Sequence, residues 1–514
     1  MWRRYLVLMC GLGVTWGYLA LAAGTDEIRV EGGVIAGTSA NGVRAFKGIP
    51  FAAQPVGDLR WKPPQSVIPW SGVKSADATG PRCEQTPYPT TSVFYEPSET
   101  TSEDCLYLNV WTAAKAGDRR PVMVWIYGGA LTRGSGAVPT YNGTQLAKKG
   151  VVVVTINYRL GAFGYLAHPA LTAESPHHSS GNYGTLDQIA ALRWVHNNIA
   201  AFGGDPGRIA IFGESAGSWS VNVLMATPLA KGLFHRAIGE SGGRFARGIT
   251  LAQAEQAGLT LARNLGAESL AALRAVAPDK ILATTGFRTA ENVDGWVLPD
   301  EVRSIFAQRN HNQVPIIVGS NSNESTTLGG ANGLPKTMEE YRARIRTQYG
   351  DSAKEFDAAY PVKSEADIAG AILGSSRDTT FTWHMREWAR MNTAGGAKAY
   401  LYQFTHVDPI PTKGLGAYHT AEIEYVFNTL WRDWPYTEVD RRVAEMISNY
   451  WVNFAATGDP NGSGLPKWPP YDARTETYME LGDAATVRHH LLSAQLDFIG
   501  RFLNRPQPAP TTGQ

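Results

Sequence analysis

Cysteine is scarce in this chain: three in 514 residues, Cys10, Cys83 and Cys105. No histidine or second cysteine stands beside them at ligand spacing, so neither a cysteine metal centre nor a cysteine nucleophile is indicated. An excess of charge is also missing. Lys and Arg number 47 against 46 Asp and Glu, a formal net charge of +1, and no basic tract occurs. That balance excludes the electrostatic footprint of a nucleic-acid or anionic-membrane binder. Internal repeats are absent too. One long apolar run exists, Tyr5 to Leu21, and no later stretch could span a membrane. It follows Arg3 and Arg4 and ends in Ala20-Leu21-Ala22-Ala23, the pattern of an export signal cleaved near Ala22 or Ala23, with a retained anchor as the alternative.

Export would place the mature chain in an oxidising compartment, secreted or periplasmic, without stable membrane insertion once the signal (residues 1–23) is removed. Cys10 leaves with that signal. Cys83 and Cys105 are then expected to bond, closing a Pro/Thr-rich loop from Thr86 to Thr101, with two free buried thiols as the alternative. Residues 24–505 are expected to form one α/β domain and the Pro-rich tail 506–514 to be disordered. Fifteen Trp and 21 Tyr serve either core packing or an aromatic-lined pocket.

From about Val122 onward, short apolar runs alternate with segments of helical period, which points to a mainly parallel sheet with crossover helices. Strands are expected at Pro121 to Tyr127, Val151 to Asn157, Arg208 to Phe212, Pro315 to Val318 and Ala399 to Phe404. Helices are expected over Leu186 to Ala201, ended by Phe202-Gly203-Gly204-Asp205-Pro206, and over Glu438 to Thr457, ended by Gly458-Asp459-Pro460. Before Val122, Ile28 to Gly37 and Val43 to Phe46 read as short antiparallel strands with Gly32-Gly33 at a hairpin turn.

Two pentapeptides have the form Gly-x-Ser-x-Gly, at 213–217 and 239–243. A nucleophile elbow needs a strand entering the serine and a helix leaving it, so that a strained turn lifts the hydroxyl above the sheet. Ser215 has both. Ser241 is followed by Gly242 and Gly243, poor helix starters, and reads as a strand-end loop. A serine hydroxyl needs a base, and the base needs a carboxylate to fix its tautomer. In such a sheet these arrive in the order serine, acid, histidine, each on a loop after a strand. Glu324 fits the acid, just beyond the Pro315 to Val318 strand. For the base, His419 in a Gly-rich loop and His406 just past the Ala399 to Phe404 strand both remain. Backbone donors for a developing oxyanion are expected from Ala216 and from the Gly-rich loop Gly128-Gly129-Ala130.

Taken together these segments resemble the type-B carboxylesterase and cholinesterase family of α/β-hydrolases, over nearly all of the chain after the signal. The motifs that carry the resemblance are Phe46-Lys47-Gly48-Ile49-Pro50, Glu103-Asp104-Cys105-Leu106, Asn157-Tyr158-Arg159, Phe202-Gly203-Gly204-Asp205-Pro206, Gly213-Glu214-Ser215-Ala216-Gly217, Asn321-Ser322-Asn323-Glu324 and Gly416-Ala417-Tyr418-His419-Thr420-Ala421-Glu422. The resemblance implies an α/β-hydrolase fold, with a large mostly parallel central sheet flanked by helices and a small N-terminal antiparallel sheet. It implies a triad of Ser215, Glu324 and His419, oxyanion donors at Gly129, Ala130 and Ala216, and a Cys83–Cys105 disulfide. Ser241 falls at the family's second buried serine, and Glu214 is expected beside it behind the triad. Ala130 departs from the commoner glycine, which keeps the N–H but narrows the space beside an acyl group. The implied reaction is hydrolysis of a small-molecule carboxylic ester, with no metal or organic cofactor, by a monomer or weak homo-oligomer. A non-catalytic relative on the same fold is expected to lack a triad member, and this chain keeps all three.

Overall fold

The computed structural model describes residues 26–96, 100–328 and 333–505. The expected leader and C-terminal tail lie outside the described residues. Thirteen strands form one twisted sheet. They are β1 (Asp26–Val30), β2 (Gly33–Ala40), β3 (Val43–Pro50), β4 (Val73–Ser75), β5 (Tyr107–Thr112), β6 (Arg120–Ile126), β7 (Val152–Ile156), β8 (Gly204–Glu214), β9 (Arg236–Glu240), β10 (Ile316–Asn321), β11 (Ala399–Phe404), β12 (Tyr478–Leu481) and β13 (Ala485–Arg488). The spatial order is β1-β2-β3-β5-β7-β6-β8-β9-β10-β11-β12-β13, with β4 beside β2. Pairing is antiparallel from β1 to β7, parallel from β7 through β12, and antiparallel again at the last hairpin. The N-terminal antiparallel strands therefore continue the large sheet at its edge.

Why these strands sit in the middle follows from their side chains. Val122 to Ile126, Val152 to Ile156 and Ile209 to Phe212 are fully buried, as strands covered on both faces must be, and each is an unbroken apolar or β-branched run. Strand β5 escaped that reading because Asn109 interrupts its apolar pattern. In the fold Asn109 is buried, donating from Nδ2 to Thr155 Oγ1 at 3.0 Å and accepting the Gly48 N–H at 3.0 Å. Helices cover the faces, among them Tyr183–Asn198, Ala216–Ala226, Trp383–Ala394 and Glu438–Thr457. Trp383 and Trp388 are packing residues, at 1% and 0% exposure, and neither lines the cleft beside the glycine loop.

Register decides where the chemistry can be. Gly213 pairs with Gly239 and Glu214 with Glu240, Glu240 pairs with Gly319, and Asn321 pairs with Phe404. The chain therefore leaves β8, β9, β10 and β11 at one edge of the sheet, the carboxyl end where ligands of open α/β sheets bind. The expected disulfide joins Cys83 to Cys105 and ties down the loop between them.

A buried ion pair fastens the segment after β7. Arg159 makes two charge-assisted bonds to Asp187, Nε to Oδ2 and Nη2 to Oδ1, both 2.8 Å, and its own N–H adds a third at 3.0 Å. Burial raises the Asp187 carboxyl and the guanidinium opposes that rise. Removing one partner strands the other charge in the core. Asp187→Ala should therefore cost about 3–5 kcal/mol of unfolding free energy in urea titration; a loss below about 1 kcal/mol would mean that the pair is not isolated from water.

Candidate active site

Strand β8 delivers Ser215 into a turn with φ 56° and ψ −121°, immediately before the helix Ala216–Ala226. That conformation is costly for any residue with a Cβ. It persists because the surroundings leave no alternative: the Ser215 N–H donates to the Glu240 carbonyl at 2.8 Å, and its carbonyl accepts the Trp219 N–H at 2.9 Å. The flanking glycines are required by contact. A Cβ at Gly217 would lie 1.9 Å from the Ile126 carbonyl oxygen, and one at Gly213 2.5 Å from the same atom. Ser241 has a similar backbone, φ 54°, but no helix follows it, in line with the strand-end reading.

Glu324 follows β10, fully buried, with Oε1 accepting the Asn321 N–H at 2.7 Å. Its Oε2 lies 2.6 Å from His419 Nδ1. A carboxylate only accepts, so Nδ1 carries the proton and Nε2 is left with the lone pair. Nε2 is turned toward Glu214, 3.2 Å from its Oε1, and among the described residues no hydrogen bond joins it to Ser215 Oγ. Resting sites often hold such contacts open until substrate binds. The groups nonetheless share one spot: a Cβ at Gly128 would stand 2.9 Å from both Ser215 Cβ and Glu214 Oε2. Phe381 packs on the His419 ring, centroids 4.7 Å apart, and Phe94 meets it edge-on at 6.3 Å.

The glycine loop lies against the same place. Gly129 and Ala130 adopt φ of 96° and 55°, and among the described residues their N–H groups donate to no backbone or side-chain acceptor. Ala216 begins its helix, so its N–H has no intrahelical partner. A cleft opens alongside, lined among others by Gln85, Tyr88, Phe94, Tyr141, Glu214 and Arg432. Arg432 lies 4.9 and 5.2 Å from the Trp431 and Trp434 rings and pairs with Glu96 and Glu424 at 2.8 and 2.7 Å.

Ser241 reaches this cluster indirectly. Its hydroxyl bonds Glu422 Oε1 at 3.3 Å, Glu422 Oε2 accepts from Asn321 Nδ2 at 2.6 Å, and the Asn321 N–H bonds Glu324. Glu422 and Glu240 are members of the cluster that sequence reasoning did not single out. Glu422 lies one turn past His419, a spacing that places it on the same side of the chain, but burial of a glutamate is invisible in a sequence. Glu240 bonds Trp451 Nε1 at 2.8 Å. Burial, followed by the nearby Glu422, Glu324 and Glu240, pushes Glu214 well above the usual carboxylate range. Burial and the Glu422 charge do the same to Glu240, and burial with Glu324 raises Glu422 to about 7. Several buried carboxyls around one imidazole cannot all ionise.

Known proteins share this fold and much of this sequence. Residues 24–499 match the carboxylesterase family. The chain belongs to that family. It is 38% identical to a fumonisin B1 esterase of Sphingopyxis macrogoltabida, over 89% of this chain and 87% of that protein. It is 36% identical to the liver carboxylesterase of Sus scrofa, over 90% and 89%. A crystal structure of a Geobacillus stearothermophilus carboxylesterase superposes with a TM-score of 0.82 at 33% identity, covering 92% of this chain and 99% of that one. This carboxylesterase is accordingly a carboxylic ester hydrolase.

The raised carboxyls carry a stability signature. Glu422 keeps its proton to about pH 7 when folded but releases it near its ordinary value of 4.5 when unfolded. The native state then binds more protons over that window, so its contribution to stability is present at low pH and is lost as pH rises toward 7. Glu422→Gln should flatten the decline in unfolding free energy between acid and neutral pH, measured by urea titration at each. An equally steep decline in the variant would show that Glu422 ionises freely.

Proposed function

We propose that this carboxylesterase works through an acyl-enzyme on Ser215, with His419 as base, Glu324 as its orienting acid and Gly129, Ala130 and Ala216 as oxyanion donors. What carries the reading is the 2.6 Å His419–Glu324 bond beside a serine held in a left-handed turn. Substrate entry lets Nε2 swing from Glu214 to Ser215 Oγ. Oγ attacks the ester carbonyl carbon as its proton passes to Nε2, and the carbonyl oxygen takes the negative charge against the three N–H groups. Collapse of that intermediate breaks the C–O bond, and Nε2 returns the proton to the departing alcohol. Water, deprotonated by the same nitrogen, then releases the acid and restores the serine. Glu324 fixes the tautomer throughout and offsets the imidazolium charge.

The aromatic cleft walls Tyr88, Phe94 and Tyr141 suit an ester with an apolar part. Residues 24–505 are read as one catalytic domain, and the leader with the Cys83–Cys105 disulfide supports export to an oxidising compartment.

Ser215→Ala should lower kcat on a soluble p-nitrophenyl ester by on the order of 10⁶-fold and abolish labelling by a fluorophosphonate probe; retained turnover would overturn the assignment. The oxyanion loop gives a second expectation. Ala130 carries a methyl at φ 55°, exposed beside the site. Ala130→Gly relieves that backbone and opens space, so kcat/KM for a pivalate ester should rise relative to the acetate ester. An unchanged ratio would show that the methyl does not face the acyl group.

A further inference from the structure

His406 occupies the position of a rival base, but the structure gives it other work. It stands just past β11, at the start of the segment 405–418 that leads to His419. Its buried ring has Nδ1 2.7 Å from Asp483 Oδ1, in the turn between β12 and β13, and Nε2 3.1 Å from Asp440 Oδ1. Carboxylate oxygens accept, so the two contacts are made together when both ring nitrogens donate.

Asp440 is itself fixed. It closes the capping box of the helix Glu438–Thr457, Oδ2 accepting the Thr437 N–H and hydroxyl, both at 2.6 Å. Its Oδ1 also accepts the Tyr425 hydroxyl at 3.0 Å. Asp408 lies near Tyr425 and Asp440, and its Oδ2 accepts the Tyr418 hydroxyl at 3.1 Å. Tyr418 immediately precedes His419. Both ends of the segment are thus fastened to carboxylates of one neighbourhood. From the other side, the Tyr418 carbonyl accepts from Asn321 Nδ2 at 2.7 Å and the Ala417 N–H donates to Asn323 Oδ1 at 3.2 Å, both on the loop that bears Glu324.

We propose that His406 is a positioning residue for His419: its paired hydrogen bonds to Asp440 and Asp483 anchor the segment that holds the His419 ring at bonding distance from Glu324. This rests on His419 being the base, as proposed above. The His406 ring adds a tie to the helix Glu438–Thr457 and to the hairpin turn, beside the backbone bonds of Thr405 and His406 to the Leu481 carbonyl. The consequence falls on the reacting geometry and leaves the cleft untouched, because no cleft wall is built from His406, Asp440 or Asp483.

His406→Ala tests it, with wild type and Ser215→Ala labelled by a fluorophosphonate alongside, so that a failure of the serine assignment is read independently of the clasp. Displacement of the base by a fraction of an ångström should lower kcat on a soluble p-nitrophenyl ester by about 10-fold or more with KM within about 2-fold. Because Asp483 is largely exposed, added imidazole can reach the vacated place and should restore part of kcat, after subtraction of the Ser215→Ala blank in the same buffer. A kcat within about 2-fold of wild type, or a loss that imidazole leaves unchanged, would overturn the proposal. Should His406→Ala fail to fold, Asp483→Asn decides: it weakens one arm at an exposed side chain, and kcat should fall by about 2- to 5-fold at constant KM, whereas an unaltered kcat would refute the clasp.

Discussion

Everything at the reactive edge depends on the backbone of Ser215. A left-handed residue with a Cβ is unfavourable by itself, on the order of 1–2 kcal/mol, and it persists only where neighbours over-determine it. Here they do so from two sides. The Glu240 carbonyl on the adjacent parallel strand takes the Ser215 N–H, and Gly213 and Gly217 allow β8 and the following helix to close on the Ile126 carbonyl. The elbow is thus a property of three strands in register, β6, β8 and β9, and would not exist in the pentapeptide alone.

The second constraint is electrostatic. Glu214, Glu240, Glu324 and Glu422 gather beneath one imidazole in a region closed to water. Burial and mutual repulsion favour the protonated forms of Glu214, Glu240 and Glu422. Ser241 and Asn321 thread hydrogen bonds through the cluster, so that the acid, the second serine and the chain entering the His419 loop form one connected body. On the outer side, His406 and Tyr425 bond Asp440, and nearby Tyr418 bonds Asp408. The base is held between these two networks.

Several features were legible from the chain because their signals are local. Val152 to Ile156 and Ala399 to Phe404 announce buried strands by unbroken apolar and β-branched or aromatic runs, and the helix Glu438–Thr457 shows its period and its Gly458 stop. The serine, acid and histidine order was legible for the same reason, each residue lying in a loop beyond such a strand. What stayed hidden was long-range. Strand β5 is broken by Asn109, whose partners Thr155 and Gly48 come from two other strands. Glu240 and Glu422 look like ordinary glutamates until the fold closes over them. The choice between His406 and His419 could not be made from spacing, since both follow β11, and family resemblance favoured His419 before the Nδ1 contact with Glu324 was seen.

The sequence by itself determined the class of fold, the carboxylesterase kinship and the set of side chains able to perform the chemistry, because periodicity, glycine placement and motif order are written residue by residue. Only the tertiary structure decided which carboxyls share protons, which histidine meets the acid and which clamps the loop, and that Nε2 rests toward Glu214. Those outcomes depend on distances between groups far apart in the chain and on the exclusion of water from between them, and neither quantity exists until the sheet has assembled.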